Sequence, residues 1–171
     1  MQRFRFSIKT ILVLVALVSV PCCWLGIAIH ARDAELAAID RITQQFPNAS
    51  FESEYSGPDW AWRIGFRPDF MNRVWLADLT GLVGGKLTSG TPVFDDGNFA
   101  DVSTDLQAFS NLQELYLLLT QISDDSRETL SSLIQSNKRI RFVNLQQCKM
   151  SSSCVRELEA MFPNVVFEFF H

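Results

Sequence analysis

The residues with the greatest capacity for chemistry in this sequence are two histidines, four cysteines and two pairs of aspartates. His30 borders an apolar segment and His171 is far from it along the chain, so no Ser–His or Cys–His relay is indicated. Neither the cysteines nor the histidines have the spacing of a zinc site. We therefore predict no catalytic residue, no metal site and no cofactor.

The aspartate pairs have simpler explanations than catalysis. Asp95–Asp96 lies in a segment rich in glycine, threonine and aspartate, and Asp124–Asp125 has the composition of a helix N-terminus. A hydrolase that uses these carboxylates is the least favoured class of function. The stretch from Gly81 to Gly97 is predicted to be a surface loop because it is rich in glycine, threonine and aspartate. Residues 84–86 (Gly-Gly-Lys) lack the spacing of a phosphate-binding loop, so no phosphate site is predicted there.

The cysteines form two unlike pairs. Cys22 and Cys23 lie in the apolar segment, where a thiol behaves as a small hydrophobic group. Cys148 and Cys154 lie close together in the sequence, and a disulfide between them would require an oxidising compartment and suitable backbone geometry. A packing role is favoured for Cys148, and the pairing of the two thiols is left open.

The apolar segment runs from Ile11 to Ile29 without a charged residue. As a helix it would extend about 29 Å, close to the thickness of the hydrocarbon core of a bilayer. A buried core helix is disfavoured because the segment has no polar face. The sequence therefore predicts a single transmembrane helix at residues 11–29, preceded by a basic leader at residues 1–10.

The distribution of charge gives this segment a direction. Residues 1–10 hold three of the 15 basic residues, whereas the sequence after Ile29 holds the other 12 and all 19 acidic residues. The positive-inside rule places the N-terminus in the cytoplasm and the rest outside the cytoplasmic membrane. The alternative is a signal peptide cleaved near Ala31, which would release a secreted protein, although the apolar run is long and the cleavage site poor.

The acidic balance after residue 29 also restricts the partners. Nucleic acid is excluded because its recognition requires clustered lysine and arginine. The same balance argues against a domain that lies on an anionic membrane surface.

Residues 30–70 are predicted to form a juxtamembrane helix and an N-terminal cap. Packing of the helix against the domain is favoured over a dimerising stalk. Ser50–Tyr55 alternates in polarity and predicts a short strand, whereas Trp60–Phe66 fits either a strand or a short helix that begins at Pro58. The predicted inward stripe of the helix consists of Leu36, Ile39, Ile42 or Thr43, and Phe46.

An apolar pattern repeats in the last hundred residues. Residues 112–122 and 140–150 share the pattern L-x-x-L-x-L-x-x-[NCT]-x-[IL], with a partial copy at residues 162–167 and a degenerate one at residues 71–79. Each unit has too few apolar side chains for a core of its own, so neighbouring units must stack. The predicted repeat core consists of Leu112, Leu115, Leu117, Thr120, Ile122, Ile140, Val143, Leu145, Cys148, Met150, Phe162, Val165 and Phe167.

This pattern resembles that of the leucine-rich-repeat family, particularly its short bacterial members that are anchored in a membrane. The resemblance covers residues 71–171 and implies an α/β fold, a short solenoid of parallel strands with outer helices after the single transmembrane helix. It implies helix N-termini at Asp124–Asp125 and Ser151–Ser153. The chain departs from the family in its few copies. The implied inward helical residues are Leu130, Leu133, Ile134, Val155, Leu158 and Met161.

Alternation along the implied strands would leave one set of side chains on the concave face. Stacked copies predict the rows Trp75, Tyr116, Asn144 and Val166; Ala77, Leu118, Gln146 and Glu168; and Arg73, Glu114, Phe142 and Asn164. Either four apolar members of these rows form an exposed binding patch, or the Trp60–Phe66 stretch covers them as a cap; the four are Trp75, Tyr116, Leu118 and Phe142. The candidate partner-binding residues are Trp75, Glu114, Tyr116, Leu118, Phe142, Asn144 and Gln146.

These features predict a non-catalytic protein-interaction module on the outer face of a cytoplasmic membrane. Its contacts would be the membrane, through residues 11–29, and another protein. The alternative is a structural or assembly element of an envelope complex, which associates with itself or through the phenylalanine-rich sequence at residues 167–170.

Overall fold

The computed structural model describes residues 8–65, 67–80, 82–83, 86–87 and 94–170. Its first element is one continuous helix, α1 (Ile8–Gln45), which includes both the predicted membrane segment and the predicted juxtamembrane helix. This helix is long and apolar enough to cross a membrane. Its last part packs on the domain, because Ala38 and Ile42 are buried there and Phe46, just after its end, is buried too.

The main sheet has five strands in the order β1–β2–β5–β6–β7. Strand β1 is antiparallel to β2, and the remaining neighbours are parallel. A separate hairpin is formed by β3 and β4. In chain order the strands are β1 (Ser50–Tyr55), β2 (Asn72–Asp78), β3 (Leu82–Val83), β4 (Lys86–Leu87), β5 (Glu114–Tyr116), β6 (Phe142–Asn144) and β7 (Val166–Glu168).

Helices connect the parallel strands and follow the order of the sheet. Contacts join α1 to α3, α3 to α4, and α4 to α5, so these helices form a second layer against the strands. Short 3-10 helices lie at Asp69–Met71 and Asp124–Ser126. The helices after α1 are α2 (Asp59–Arg63), α3 (Asp96–Leu106), α4 (Arg127–Ser136) and α5 (Ser152–Met161).

The core lies between the sheet and the helix layer. The residues of the predicted repeat core are buried there, except for Phe162 and Val165, which are half-buried and pack against it. The inward stripes of α4 and α5 are buried as well, apart from Met161, which is 49% exposed and was wrongly predicted to point inward. In α1, Leu36 is exposed and Glu35 takes the buried position instead.

The prediction of a loop from Gly81 to Gly97 is wrong at its end. The carboxylate of Asp95 accepts a hydrogen bond from the backbone N–H of Asn98 (3.0 Å) and caps α3, so Asp96 and Gly97 lie inside a helix. Phe99, Val102 and Leu106 of this helix enter the core. Of the predicted loop, residues 81, 84–85 and 88–93 lie outside the described residues.

The predicted helix N-terminus at Asp124–Asp125 also needs correction. Both aspartates lie in the 3-10 helix, and Ser123 caps it by accepting a hydrogen bond from the backbone N–H of Asp125. At the next helix Ser151 accepts a hydrogen bond from the backbone N–H of Cys154, and α5 begins there as predicted.

The predicted rows are correct between β5 and β6 but wrong at β2. Asp78, not Trp75, is paired with Tyr116. The β1–β2 register shifts between Glu52 and Ser53 and skips Trp75, which is the signature of a β-bulge. The extra residue separates the buried side chains of Val74 and Ala77 by three positions and moves the following residues out of the predicted alignment.

The row prediction is wrong at β7 for a different reason. Val165 donates a backbone hydrogen bond to Phe162, as Ile140 does to Asn137, so the turns after α4 and α5 begin alike. After Ile140 the next inward residue is Val143, three positions further on. After Val165 it is Phe167, only two positions further on. Glu168 therefore pairs with Asn144, and Val166 and Glu168 each stand one row away from the predicted place.

Candidate partner-binding face

The corrected register defines two rows of side chains on the face of the sheet opposite to the helices, here called the outer face. Because Leu115, Val143 and Phe167 point into the core, their neighbours along each strand point away from it. The upper row is Asp78, Tyr116, Asn144 and Glu168, and the lower row is Leu76, Glu114, Phe142 and Val166.

An aromatic pair lies at the centre of the outer face. The rings of Tyr116 and Phe142 are 5.4 Å apart between centroids, with their planes inclined by 48°. This separation is within the range of favourable aromatic contacts. Both side chains are half-buried, so the pair keeps part of its surface accessible to a partner.

Carboxylates surround this pair. The hydroxyl of Tyr116 donates a hydrogen bond to Oε2 of Glu114 (2.9 Å). Burial, the bond to Glu114 and the nearby charges of Glu114, Glu168 and Asp78 raise the pKa of Tyr116 to about 12. The tyrosine therefore stays neutral and protonated in a negative field, and the face combines aromatic surface with acidic charge.

Asn144, one of the candidate binding residues, has a structural role. Its Nδ2 donates a hydrogen bond to Oε2 of Glu168 (2.9 Å), and its Oδ1 accepts one from the backbone N–H of Gln146 (3.0 Å). The side chain is buried. It orients Glu168 and the turn after β6 and leaves little surface for a partner.

The other candidate residues are less central than predicted. Trp75 is half-buried at the bulge of β2, and its carbonyl accepts a hydrogen bond from the backbone of Gln113 (2.8 Å). Leu118 and Gln146 are half-buried just beyond β5 and β6. The predicted patch of four apolar residues is thus reduced to the Tyr116–Phe142 pair.

The alternative in which the Trp60–Phe66 stretch covers this pair does not hold for the described residues. Its helical part is α2, where Trp62 lies 5.5 Å from the ring of Tyr55 and carries the guanidinium of Arg67 3.1 Å above its own ring. Trp60 and Trp62 are exposed by 60% and 47%. Phe66 lies outside the described residues.

Sequence reasoning missed a buried ion cluster where α1 meets the domain. Glu35 is fully buried, with one oxygen 3.2 Å from Nη1 of Arg32 and the other 3.8 Å from Nε of Arg73. Ser110 donates a hydrogen bond to the same carboxylate, and Nη2 of Arg73 donates one to the carbonyl of Ala28 (2.9 Å). A glutamate in the apolar stripe of the helix is the signal that could have revealed it.

The thiols show no activated chemistry. Cys148 and Cys154 are free, and Sγ of Cys148 lies 3.3 Å from Oγ1 of Thr120. Burial raises the pKa of Cys148, and burial together with Asp124 raises the pKa of Cys154 to about 11. Both thiols are protonated near neutral pH and are poor nucleophiles. In the described parts of the chain, no three His, Cys, Asp or Glu side chains are placed to hold a metal ion.

Comparison with known proteins adds no family to this geometry. No protein-family model matches the chain, and no curated protein matches it significantly.

Proposed function

We propose that this chain is a non-catalytic protein-interaction module of the leucine-rich-repeat type, held by α1 on the outer face of a cytoplasmic membrane. The observation that carries the proposal is the outer face of the sheet. There the Tyr116–Phe142 pair is surrounded by the carboxylates of Asp78, Glu114 and Glu168, and all five side chains remain partly accessible.

Local geometry that recurs 28 residues apart supports the repeat character. Leu119 and Gln147 both adopt a left-handed backbone, with φ of 60° and 56°. One position further on, Thr120 and Cys148 lie in contact. A tandem unit that is used twice accounts for the same unusual backbone and the same small turn residue at equivalent places.

The contact between α1 and the domain supports an anchor that is retained. The helix continues through Ala31 without interruption. Arg73 donates a hydrogen bond to the carbonyl of Ala28, which precedes Ala31 and lies in the apolar segment. Cleavage near Ala31 would remove this acceptor and leave the arginine with one partner fewer. The geometry therefore favours the intact tether over the secreted form.

The chemistry of the outer face specifies the kind of partner. Lysine or arginine is attracted both to the carboxylates and to the faces of Tyr116 and Phe142. Apolar neighbours of such a residue would cover the rest of the aromatic pair. We infer a protein partner that presents a basic residue flanked by apolar ones.

A site-specific photo-crosslinker tests the proposal in the membrane. Benzoylphenylalanine in place of Phe142 should capture a partner that the same group at Glu159, exposed on α5, does not capture. The double variant Glu114→Gln/Glu168→Gln should reduce capture at position 142 by about tenfold, because the basic partner loses two charges. Equal capture at positions 142 and 159, or capture unaffected by the charge changes, would refute the assignment of this face.

Assembly through the edge of the sheet is the second candidate. Strand β7 forms that edge; Val166 in this strand and Phe170 just after it are 62% and 66% exposed. Exposed edges pair readily with strands of other chains. Crosslinks from position 170 to a second copy, with a dimeric mass in nanodiscs that Phe170→Ser abolishes, would favour this function over the first.

A further inference from the structure

One end of the domain lies beside the apolar part of α1. Arg73, at the start of β2, contacts the carbonyl of Ala28, which is one residue from the end of the apolar run. Tyr55, the last residue of β1, pairs with Asn72 and lies at the same end. Because β5, β6 and β7 are parallel to β2, the turns that precede them also lie there. We call this the proximal end.

The proximal end exposes large apolar side chains. Trp60, Trp62 and Ile64, on and just after α2, are 60%, 47% and 71% exposed. The hydroxyl of Tyr55 holds α2 through the carbonyl of Pro58 (3.4 Å). A soluble domain gains nothing from presenting two tryptophans and an isoleucine to water on one short segment. Tryptophan is, by contrast, the residue most typical of the membrane interface.

The charge at the proximal end differs from that of the whole domain. Its turns carry five basic residues against Asp59 and Asp69, and Glu54 of β1 contacts the turn before β5. The opposite end carries Asp95, Asp96, Asp124 and Asp125 against Lys149. The excess of acidic residues therefore does not describe the surface that faces the membrane, and the sequence-based argument against contact with anionic lipid fails there. The five basic residues are Arg63, Arg67, Lys138, Arg139 and Arg141.

We propose that the proximal end docks on the bilayer surface, with Trp60, Trp62 and Ile64 in the interface and the basic residues against the phosphates of anionic lipids. The inference rests on the membrane anchoring proposed above. The interfacial layer of one leaflet is about 5–8 Å thick. From Ala28 to Glu35, α1 rises only about 10 Å, so the proximal end begins within or directly above that layer.

Quenching of tryptophan fluorescence by brominated lipid tests the docking on the full chain in vesicles. In the variant Trp24→Phe/Trp75→Phe only Trp60 and Trp62 report. Brominated phosphatidylcholine mixed with phosphatidylglycerol should lower their emission about twofold relative to unbrominated vesicles, because interfacial tryptophans contact the acyl chains. A matched reporter, with all four tryptophans replaced and Ser152→Trp at the opposite end, should be unaffected.

Two further measurements separate the possible failures. Flotation of the chain with the vesicles reports the anchor alone. Chain that fails to float overturns the anchoring and the docking together, whereas chain that floats with unquenched Trp60 and Trp62 overturns the docking only. Lys138→Gln/Arg141→Gln should weaken quenching in vesicles that contain phosphatidylglycerol. Quenching that is equal with and without anionic lipid would overturn the role assigned to the basic residues.

Discussion

Glu35 is the residue at which the apolar pattern of α1 is broken inside the structure. A fully buried carboxylate is tolerated only with partners, and Arg32, Arg73 and Ser110 provide them. Arg73 also donates a hydrogen bond to the carbonyl of Ala28. The cluster therefore joins the end of the apolar helix to the first parallel strand of the sheet.

Replacement of Glu35 by alanine should be strongly destabilising. It leaves the buried guanidinium of Arg73 without its counter-ion, and breaking a buried pair costs about 3–5 kcal/mol. Thermal unfolding of the chain in nanodiscs measures the loss as a lower midpoint. Asp33→Ala, an exposed acidic residue on the same helix, is the control. Equal midpoints for the two variants would show that the cluster contributes little.

Leu119 and Gln147 both adopt a left-handed backbone conformation. A side chain with a Cβ atom pays for φ near +60° in steric energy, about 1–2 kcal/mol. Both positions follow a strand at the same place in successive units. The contacts of each turn, among them the backbone hydrogen bonds from Leu119 to Gln146 and from Gln147 to Phe170, therefore hold this geometry against local preference.

Gln147 is exposed, so the energetic cost of its left-handed backbone can be tested without loss of core contacts. Gln147→Val should destabilise the domain by about 1–2 kcal/mol, because a β-branched side chain fits the left-handed region worst. Gln147→Gly should be close to neutral, since the relief of strain offsets the greater freedom of the unfolded chain. Unfolding midpoints of the pair provide the comparison, and a valine variant as stable as the glycine variant would contradict the assigned backbone.

At the scale of elements, aspartates link α3 to the start of the next helix and that helix to α5. Asp96 at the start of α3 accepts hydrogen bonds from the backbone N–H and the hydroxyl of Ser123 (2.8 and 2.7 Å). Asp124 accepts the equivalent pair from Ser151 (both 2.7 Å). Both links lie at the end of the domain opposite to the apolar part of α1, and they hold the helix layer in register with the sheet.

The link at Asp96 predicts a particular dependence on pH. Burial alone would raise the pKa of Asp96, but hydrogen bonds from Ser123 and Ser126 outweigh it and hold the pKa below its usual value. The stabilisation is therefore present above about pH 4 and is lost as the pH falls through the lowered pKa. Asp96→Asn should lower stability at pH 7 by about 1–2 kcal/mol.

The difference between Asp96→Asn and the native chain should shrink as the carboxyl group becomes protonated below about pH 4. Denaturant unfolding at pH 7 and at pH 3 measures it. Asp101→Asn, exposed on the same helix, is the control. A difference at position 96 that is constant with pH would mean that the hydrogen bonds do not depend on the charge.

The sequence predicts the elements of this fold better than their alignment. The helix before Phe46, the strand Ser50–Tyr55 and the burial of Leu115 and Val143 follow from periodicity, because periodicity reports burial directly. Helix α3 was missed although Asp95 and the spacing of its buried residues signal it, since the glycines upstream suggested that the loop continued.

The alignment of the outer face could not be read in the same way. A bulge at Trp75 and a turn shortened by one residue before Phe167 each shift a strand by an amount that no apolar pattern records. Tyr116 and Phe142 were placed correctly because the two full copies have the same length. The predicted alignment did not place Asp78 and Glu168 in the row of Tyr116, so its acidic surroundings follow only from the observed register.

At the scale of the whole molecule, charge is arranged along one axis. In the sequence the basic residues 3, 5 and 9 precede the apolar part of α1, and in the structure basic turns lie at the proximal end and aspartates at the opposite end. A bilayer placed around residues 11–29 would have positive charge on both of its sides and the acidic surface furthest from it. This arrangement favours a domain that contacts the membrane through its proximal end and leaves the outer face of the sheet accessible from the side.

The orientation of this axis is testable by thiol labelling. Ser152→Cys introduces an exposed thiol at the end opposite to the proximal end, while Cys148 and Cys154 are buried with raised pKa values and should not compete. Cys22 and Cys23, which are free and exposed on α1, are replaced by serine in every variant of this experiment. In bacterial spheroplasts a membrane-impermeant maleimide should label position 152, because the proposed orientation places the domain outside the membrane.

Gln2→Cys is the matched control, which should be labelled only after lysis. Charge reversal in the leader, Arg3→Glu/Arg5→Glu/Lys9→Glu, removes the bias that orients the helix and should lower labelling at position 152 severalfold. Labelling of position 152 only in lysed cells would place the domain in the cytoplasm and reverse the proposed orientation. Labelling unaffected by the charge reversal would mean that the domain, and not the leader, determines how α1 inserts.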